Sequence, residues 1–467
     1  MNKKNLMKKI SVALSAFLVA CSSFAFSACD EKTKRVFVEK GEEFEFGMSW
    51  FPSFTDGAFR QIAECGFDFV TLNEYQCGDL SNRGEKGESD YFLTKEVIEL
   101  AAKYGMKSIP HLRNAGLSDQ FEGYDDLYLD DYYSSNENVD FICVFDEPWY
   151  KHIDGIGAEV ERYESKYKDK VFWVNLFPEY VVGGGINTNE LGGKSYAQYI
   201  KHFCDTVLKK VTGERWLTLD AYPYLYNETS KTNGGIEPTW LHTMEIIAES
   251  AKEVGNCHVM AHLQTCSYLD HREPTLADMR QQTWVNMAFG AEKLSCYDYA
   301  KPQGHELHGA DKISMVDDDG KPTHIYYSVQ QVIQEIKAID HIYLQYQYDG
   351  VKGYLANERY EEGINTDGYR AFNRLEKQLD KFERIESVYC TQDTLVSQLF
   401  DKDEKFAYIV VNFSDPIDGR TDDMLIEFDN VKSVQIVRQG KVETVAVKNN
   451  VLSLSLEAGD GCMIIPQ

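Results

Sequence analysis

From about residue 42 to residue 345 the sequence repeats one pattern: a short apolar run, a stretch with apolar residues at helical spacing, then the next run. Strands separated by amphipathic helices are too far apart along the chain to form hairpins, so they lie parallel, each helix covering the sheet as the chain returns. The runs are EFEFGMSWF, FDFVTLNEY, MKSIPHLRN, NVDFICVFDEP, KVFWVNLFPEY, RWLTLDAYPY, CHVMAHLQTC and EKLSCYDYA, and helical patterns such as DGAFRQIAECG and LTKEVIELAAKYG close on glycine. Eight such units are what a (β/α)8 TIM barrel requires, and a last helix, YYSVQQVIQEIKAI, completes the ring. The rival is a doubly wound open sheet, whose nucleotide-binding form carries a Gly-rich loop after its first strand. This chain has no such loop.

The barrel is expected over residues 40–346. Beyond it the rhythm changes: KFAYIVVNFS, DMLIEFDN, VKSVQIVRQG, KVETVAVKN and NVLSLSLEAGDGCMIIP are apolar runs separated by turn residues without helices. That pattern predicts a small antiparallel β-sandwich over 388–467, with 347–387 as a polar connector holding one helix. At 467 residues and 43% hydrophobic content, the chain can bury a large core and a second small one. Its formal charge of −27, with no basic stripe after the first ten residues, excludes nucleic acid as a natural partner.

MNKKNLMKK followed by ISVALSAFLVA is a positive segment and an apolar segment of export-signal type, and residues 1–29 are expected to be signal and tether. Leu18-Val19-Ala20-Cys21 is similar to the lipobox of bacterial lipoproteins, with Phe26-Ser27-Ala28-Cys29 a poorer second fit. The expectation is an exported protein, lipid-anchored at Cys21 or Cys29 to the outer face of the bacterial cytoplasmic membrane or cell surface, with the membrane touched only through that anchor. No later segment is apolar for long enough to span a bilayer. The other nine cysteines lack CxxC spacing and fall largely in apolar runs, which suits small buried hydrophobes better than disulfides or zinc ligands.

In a barrel the chemistry sits where the strands end at their C-terminal side. The residues there are Trp50, Asn73, Glu74, His111, Arg113, Asp146, Glu147, Asn175, Glu179, Asp220, Tyr222, His262, Gln264, Tyr297 and Asp298. Carboxylates for proton transfer, amides for hydroxyl recognition and rings for stacking on pyranose faces are what a carbohydrate site needs. No cofactor or metal is implied. The His305-Glu306-Leu307-His308 segment has its histidines three apart, not the four that a zinc-binding helix needs. Asn227-Glu228-Thr229 matches a glycosylation sequon, which a bacterial lipoprotein signal makes irrelevant.

Asp146-Glu147-Pro148, at the end of the fourth strand, resembles the Asn-Glu-Pro of clan A glycoside hydrolases. Leu219-Asp220-Ala221-Tyr222-Pro223 resembles the sixth-strand segment of relatives of the family-42 β-galactosidases. Arg272-Glu273-Pro274-Thr275 with QTWVNMAFGAEKLSCYDY resembles the last βα passage of that group. The resemblance covers about residues 43–345. It implies a barrel in which Glu147 is the general acid/base, its pKa raised by a neighbouring carboxylate and aromatic walls. It further implies an extracellular oligo- or polysaccharide as substrate or ligand. Asp146 would hold a substrate hydroxyl or position Glu147, and Trp50, Glu74, His111, Asn175, Tyr222, Gln264, Tyr297 and Asp298 would contact sugar.

One position departs from the pattern. Clan A places its nucleophile, a glutamate, at the end of the seventh strand, and here that strand ends on Gln264, which can neither form a glycosyl ester nor act as a base. Three alternatives stay open. Asp220, foremost, or Asp298 or Glu74 supplies the second carboxylate, with a gap of about 6.5–9.5 Å if the enzyme inverts. A group on the substrate assists, supported by Tyr222 and Asp220. Or the barrel binds carbohydrate without cleaving it.

Overall fold

In the computed structural model the eight apolar runs form one parallel sheet: β1 (Glu45–Ser49), β2 (Phe69–Thr71), β3 (Lys107–Ile109), β4 (Phe141–Asp146), β5 (Val171–Leu176), β6 (Arg215–Leu219), β9 (Cys257–Gln264) and β10 (Ala291–Tyr297). The intervening β7 (Tyr224–Asn227) and β8 (Thr232–Ile236) are a separate antiparallel hairpin after β6 that the apolar pattern does not signal. The structure describes residues 35–50, 55–72, 88–111, 130–182, 190–227, 229–301, 312–356 and 366–467. Chain contacts divide it into Met1–Val36 and a body of Phe37–Gln467 that holds every feature below. Among the described residues no helix is long and apolar enough to cross a membrane.

The sheet runs β3-β2-β1-β10-β9-β6-β5-β4. Its two ends meet through parallel bridges Ser108–Val139 and His111–Cys143, with Ser108 N–H donating to Asn138 O at 2.8 Å and Cys143 N–H to Pro110 O at 2.8 Å. The fold is therefore a TIM barrel. Its interior is filled by Phe69, Ile109, Cys143, Trp173, Trp216 and Met260, all buried. Gly47 on β1 is required by this filling, because a Cβ there would overlap the ring of Phe69. Below the plug, Lys293 lies over the rings of Phe141 and Trp216, 5.3 Å from each, and pairs with Glu45.

Helices form where the periodicity places them, and their ends have local causes. The helix Asp56–Cys65 is capped by the Thr55 hydroxyl and stopped by Gly66 at φ 105°. Leu276–Ala288 starts in a capping box between Thr275 and Asp278. This helix is buried on nearly every side, polar residues included, because it lies between the barrel and a second sheet system.

That system comprises β11 (Tyr346–Tyr354), β12 (Ile385–Cys390), β13 (Thr394–Asp401), β14 (Phe406–Asn412), β15 (Asp422–Phe428), β16 (Ser433–Arg438), β17 (Lys441–Ala446), β18 (Val451–Leu456) and β19 (Gly461–Pro466). An antiparallel sheet ordered β11-β13-β14-β19-β16-β17 faces a smaller one ordered β12-β15-β18, which is the expected β-sandwich. The stretch 347–387, expected as connector, carries most of β11, the start of β12 and the helix Asp367–Phe372. β11 reads polar, YQYDGVKGY, because it is the edge strand of the larger sheet.

The sandwich is fastened to the barrel by polar groups as well as packing. Arg272 donates to both oxygens of Asp278 (2.7 and 2.6 Å) and to Asp415 Oδ1 at 3.0 Å. Gln281 donates to the carbonyls of Asn412 and Ser414, and Trp284 fills the space where Gly461 lacks a side chain. The Arg272–Thr275 segment thus links the two sheet systems. The eight described cysteines of the body are all buried and unbonded to one another, as the scattered spacing predicts; Cys77 lies outside the described residues.

Candidate active site

Side chains of a strand alternate, so residues two positions beyond the plug face the same lumen. On β2, β3, β5, β6 and β9 these are Thr71, His111, Asn175, Thr218 and His262, with Asp220 two positions further on, just past β6, and Ser295 on β10 is paired with His262. β4 reaches this layer by a different route. Its register against β5 slips between Cys143 and Phe145, so Asp146 pairs with Asn175 and shares its inward face. Without the extra residue, alternation would send Asp146 outward. Glu147 follows at φ 48°, its N–H donating to Asn175 O at 2.9 Å, while the carbonyl of Pro148 accepts from the buried Tyr199 hydroxyl at 2.8 Å. A left-handed glutamate costs of order 1–3 kcal/mol and persists only where its surroundings hold it. Trp50, half-buried at the end of β1, has the same backbone sign, φ 62°.

The strand ends bring three carboxyls together. Asp146 is exposed and accepts from Asn175 Nδ2 at 3.0 Å, and the same side-chain amide supports Asp220. Glu147 and Asp220 act on each other electrostatically, the charge of Asp220 raising the pKa of Glu147. The Glu147 residue is half-buried, with its carboxyl the enclosed part. Burial foremost, then the charges of Asp220 and Asp146, raise its pKa well above the usual carboxylate range. Asp220, 8% exposed, is pushed up to about 7 by burial and by Asp146, although the neighbouring Glu147 and Asn175 favour its ionised form. Both carboxyls therefore hold a proton more tightly than an exposed carboxylate does. Asp220 Oδ1 and Asn175 Oδ1 are buried acceptors with no hydrogen-bond partner.

An aromatic wall stands beside this pair. Tyr222 stacks on Tyr297 with centroids 5.1 Å apart and meets Tyr268 edge-on at 5.7 Å, while Tyr268 lies flat on His271 at 4.4 Å. The ionisation of Tyr180, like that of Tyr222, is opposed by burial and then by the charge on Asp220. His111 and His262 leave both ring nitrogens without a partner, and burial drops the pKa of His262 to about 4, so that ring stays neutral.

Of the residues expected at the site, Asp146, Glu147, Asn175, Asp220, Tyr222 and Tyr297 form this cluster, and His111 and Trp50 occupy neighbouring strand ends. Three other strand-end residues, Gln264, Asp298 and Glu179, are held by local bonds. Gln264 has no exposed surface: its side chain accepts from Tyr224 N–H at 2.9 Å and donates to the carbonyls of Arg272 (2.8 Å) and Tyr224 (3.3 Å). Its backbone is bracketed by Gln282, so it braces the loops around β9 and has no hydrogen-bonding group left for sugar. Asp298, fully buried, is bonded to the Ser314 hydroxyl. Glu179 is held by His242 at 2.6 Å.

Glu74, Asn73 and Arg113, the His305–His308 segment, and Cys21 and Cys29 lie outside the described residues. Among those described, no group of three or more His, Cys, Asp or Glu is placed to hold a metal ion. Tyr180 and Tyr268 are additions that strand ends do not reveal, since each lies in a connecting turn. The aromatics of FPEY and CSYLDH were the available signal.

No protein-family model and no curated protein matches the sequence. Solved structures with a similar course of backbone include xylanase 10B from Thermotoga maritima, at 12% identity and TM-score 0.42 over 63% of this chain and 95% of that one. The endo-β-1,4-mannanase of Thermotoga petrophila is similar at 12% identity and TM-score 0.40, over 90% of this chain and 98% of that one. A putative α-galactosidase/melibiase from Bacteroides fragilis is similar at 12% identity and TM-score 0.46, covering 91% and 80%. These neighbours are glycoside hydrolases by name; the site described above rests on its own geometry.

Proposed function

We propose that this chain is a glycoside hydrolase in which Glu147 protonates the departing glycosidic oxygen of an extracellular oligo- or polysaccharide. The observation that carries the reading is the Glu147 carboxyl itself: held at the end of β4 by a left-handed backbone and enclosed among carboxyls and phenols, with burial and the neighbouring charges raising its pKa well above the usual carboxylate range. An aromatic wall and partnerless buried acceptors beside this acid suit a neutral, hydroxyl-rich ligand. Export and lipid anchoring at Cys21 or Cys29 belong to the same proposal and rest on the sequence alone.

Asp220 is the candidate second carboxyl, buried in the same cluster and raising the Glu147 pKa by its charge. A second reading, a barrel that binds sugar without cleaving it, is favoured by the loss of Gln264 to backbone bracing where clan A carries its nucleophile.

The test is Glu147→Gln assayed for product release across a glycan library and for glycan affinity by calorimetry. Hydrolysis is expected to fall by about 10²–10⁴-fold with affinity kept within about threefold. Retained turnover in the variant removes Glu147 from its role. Glycan binding by the wild type with no product from any substrate selects the binding reading.

A further inference from the structure

The turn that follows β5 is pinned by a helix. Its residues Glu179–Val182 form a single 3-10 turn, and two side chains from the start of the helix Trp240–Val254 hold its first residue. The Thr243 hydroxyl accepts from the Glu179 N–H at 3.3 Å, and His242 Nδ1 meets the Glu179 carboxylate at 2.6 Å. The next residue is Tyr180. Its ring lies 6.5 Å from that of His271, which is stacked on Tyr268 at 4.4 Å and has its Nε2 3.1 Å from the Tyr222 carbonyl. Neighbour by neighbour, a path runs from His242 through Glu179 and Tyr180 to the aromatic wall of the site. On its other side His242 Nε2 stands 3.9 Å from the carboxylate of Glu376, whose N–H donates to the buried carboxylate of Glu245 at 2.7 Å.

We propose that His242 is a positioning residue for the carbohydrate site: through Glu179 it sets the turn that places Tyr180 in the aromatic wall, and so governs how tightly that wall holds sugar. The inference rests on the carbohydrate reading above and assigns His242 no part in proton transfer. The bond it makes changes with pH. The hydrogen bond to Glu179 first, acting against burial, and then the charges of Glu179, Glu245 and Glu376 raise the His242 pKa from its ordinary 6.5. These acids come from the turn, from the helix of His242 itself, and from the segment after the helix Asp367–Phe372. Tyr196, on the helix Tyr196–Thr206, bears on the same Glu179 carboxylate, its own ionisation opposed first by burial. Below about pH 6.5 His242 is charged and the bond is an ion pair. As pH rises through the raised value the charge is lost, and what remains is an ordinary hydrogen bond of roughly half the strength. The turn therefore loosens on the alkaline side.

The test uses the whole chain as wild type, His242→Leu and His242→Gln, the last able to donate to Glu179 but unable to titrate. Hydrogen exchange of the peptide covering residues 177–182, compared between proteins at each pH, reads the turn without a substrate. At pH 6 His242→Leu is expected to exchange there at least about tenfold faster than wild type, with peptides from β16 and β17 unchanged. His242→Gln is expected to recover part of the protection. Between pH 6 and pH 9 the gap between His242→Leu and wild type is expected to narrow, while that between the two variants stays constant. On 4-nitrophenyl glycosides of glucose, galactose, xylose and mannose, His242→Leu is expected to raise KM at least about fivefold with kcat within about twofold. Equal exchange in all three proteins, a pH trend that survives in His242→Gln, or faster exchange that spreads to β16 and β17 overturns the inference and leaves the hydrolase intact. Faster exchange of the turn with KM unchanged overturns it as well, because Tyr180 then does not serve sugar. Faster exchange of the turn alone, with no glycoside cleaved by wild type, supports the positioning and counts against hydrolysis.

Discussion

Replacing Asp220 with Asn tests the electrostatics of the site without any knowledge of the substrate. The carboxyl is buried beside Asp146 and Glu147, and its pKa is raised from 3.8 to about 7, first by loss of solvent and then by the charge on Asp146. That step is worth roughly 4 kcal/mol against the ionised form in the folded protein. Its sign follows from proton binding. The folded state holds the Asp220 proton more tightly than the unfolded chain does, so this contribution to stability is complete below about pH 4 and is lost as pH rises through about 7. The amide does not titrate. The stability of Asp220→Asn relative to wild type should therefore improve by up to roughly 4 kcal/mol between about pH 4 and pH 8, with Glu147, Asp146 and Glu190 remaining in both proteins. Urea unfolding followed by tryptophan fluorescence at several pH values measures this. A difference between the two proteins that stays constant across that range, or that moves the other way, refutes the burial of Asp220 beside two other acids.

Other perturbations separate bracing from chemistry. Gln264→Leu strands the N–H and C=O of Tyr224 and the C=O of Arg272, at about 1–3 kcal/mol each, so a lower unfolding midpoint should accompany any loss of activity; lost activity at unchanged stability would restore Gln264 as a sugar contact. Arg272→Met leaves Asp278 and Asp415 buried without their cation and should cost about 3–5 kcal/mol, seen as early proteolysis between barrel and sandwich; an unchanged digestion pattern would count against the fastening. Gly47→Ala forces a methyl into the Phe69 ring and should cost about 1–3 kcal/mol in thermal unfolding, with Phe69→Leu restoring part of it. Absence of that rescue would place the strain elsewhere.

The barrel was legible because its evidence is local and repeated. The strands from β1 to β10 apart from the hairpin fall in the apolar runs, and helices such as Asp56–Cys65 and Leu276–Ala288 carry their own caps. The pattern weakens where burial is one-sided or partners are distant. The hairpin includes TNGGI, and β11 is polar because it lies at a sheet edge. The helix Leu276–Ala288 reads as mixed polar and apolar, with Gln281 and Gln282 buried; nothing local announces that one amide braces the sandwich and the other the end of β9.

The sequence by itself determined which residue types stand at the strand ends, since strand length and turn chemistry are written locally, and with them the nomination of Asp146, Glu147 and Asp220. Only the tertiary structure decided how those residues relate. A single extra residue in β4 turns Asp146 inward, and curvature of the closed sheet brings the acids at the ends of β4 and β6 into one electrostatic cluster, across more than 70 residues of chain. Gln264 and Asp298, with the same sequence credentials as Asn175, were drawn into the loops around them. Pairing distance and the identity of a buried group's partner depend on packing between segments far apart in sequence, and no spacing along the chain encodes them.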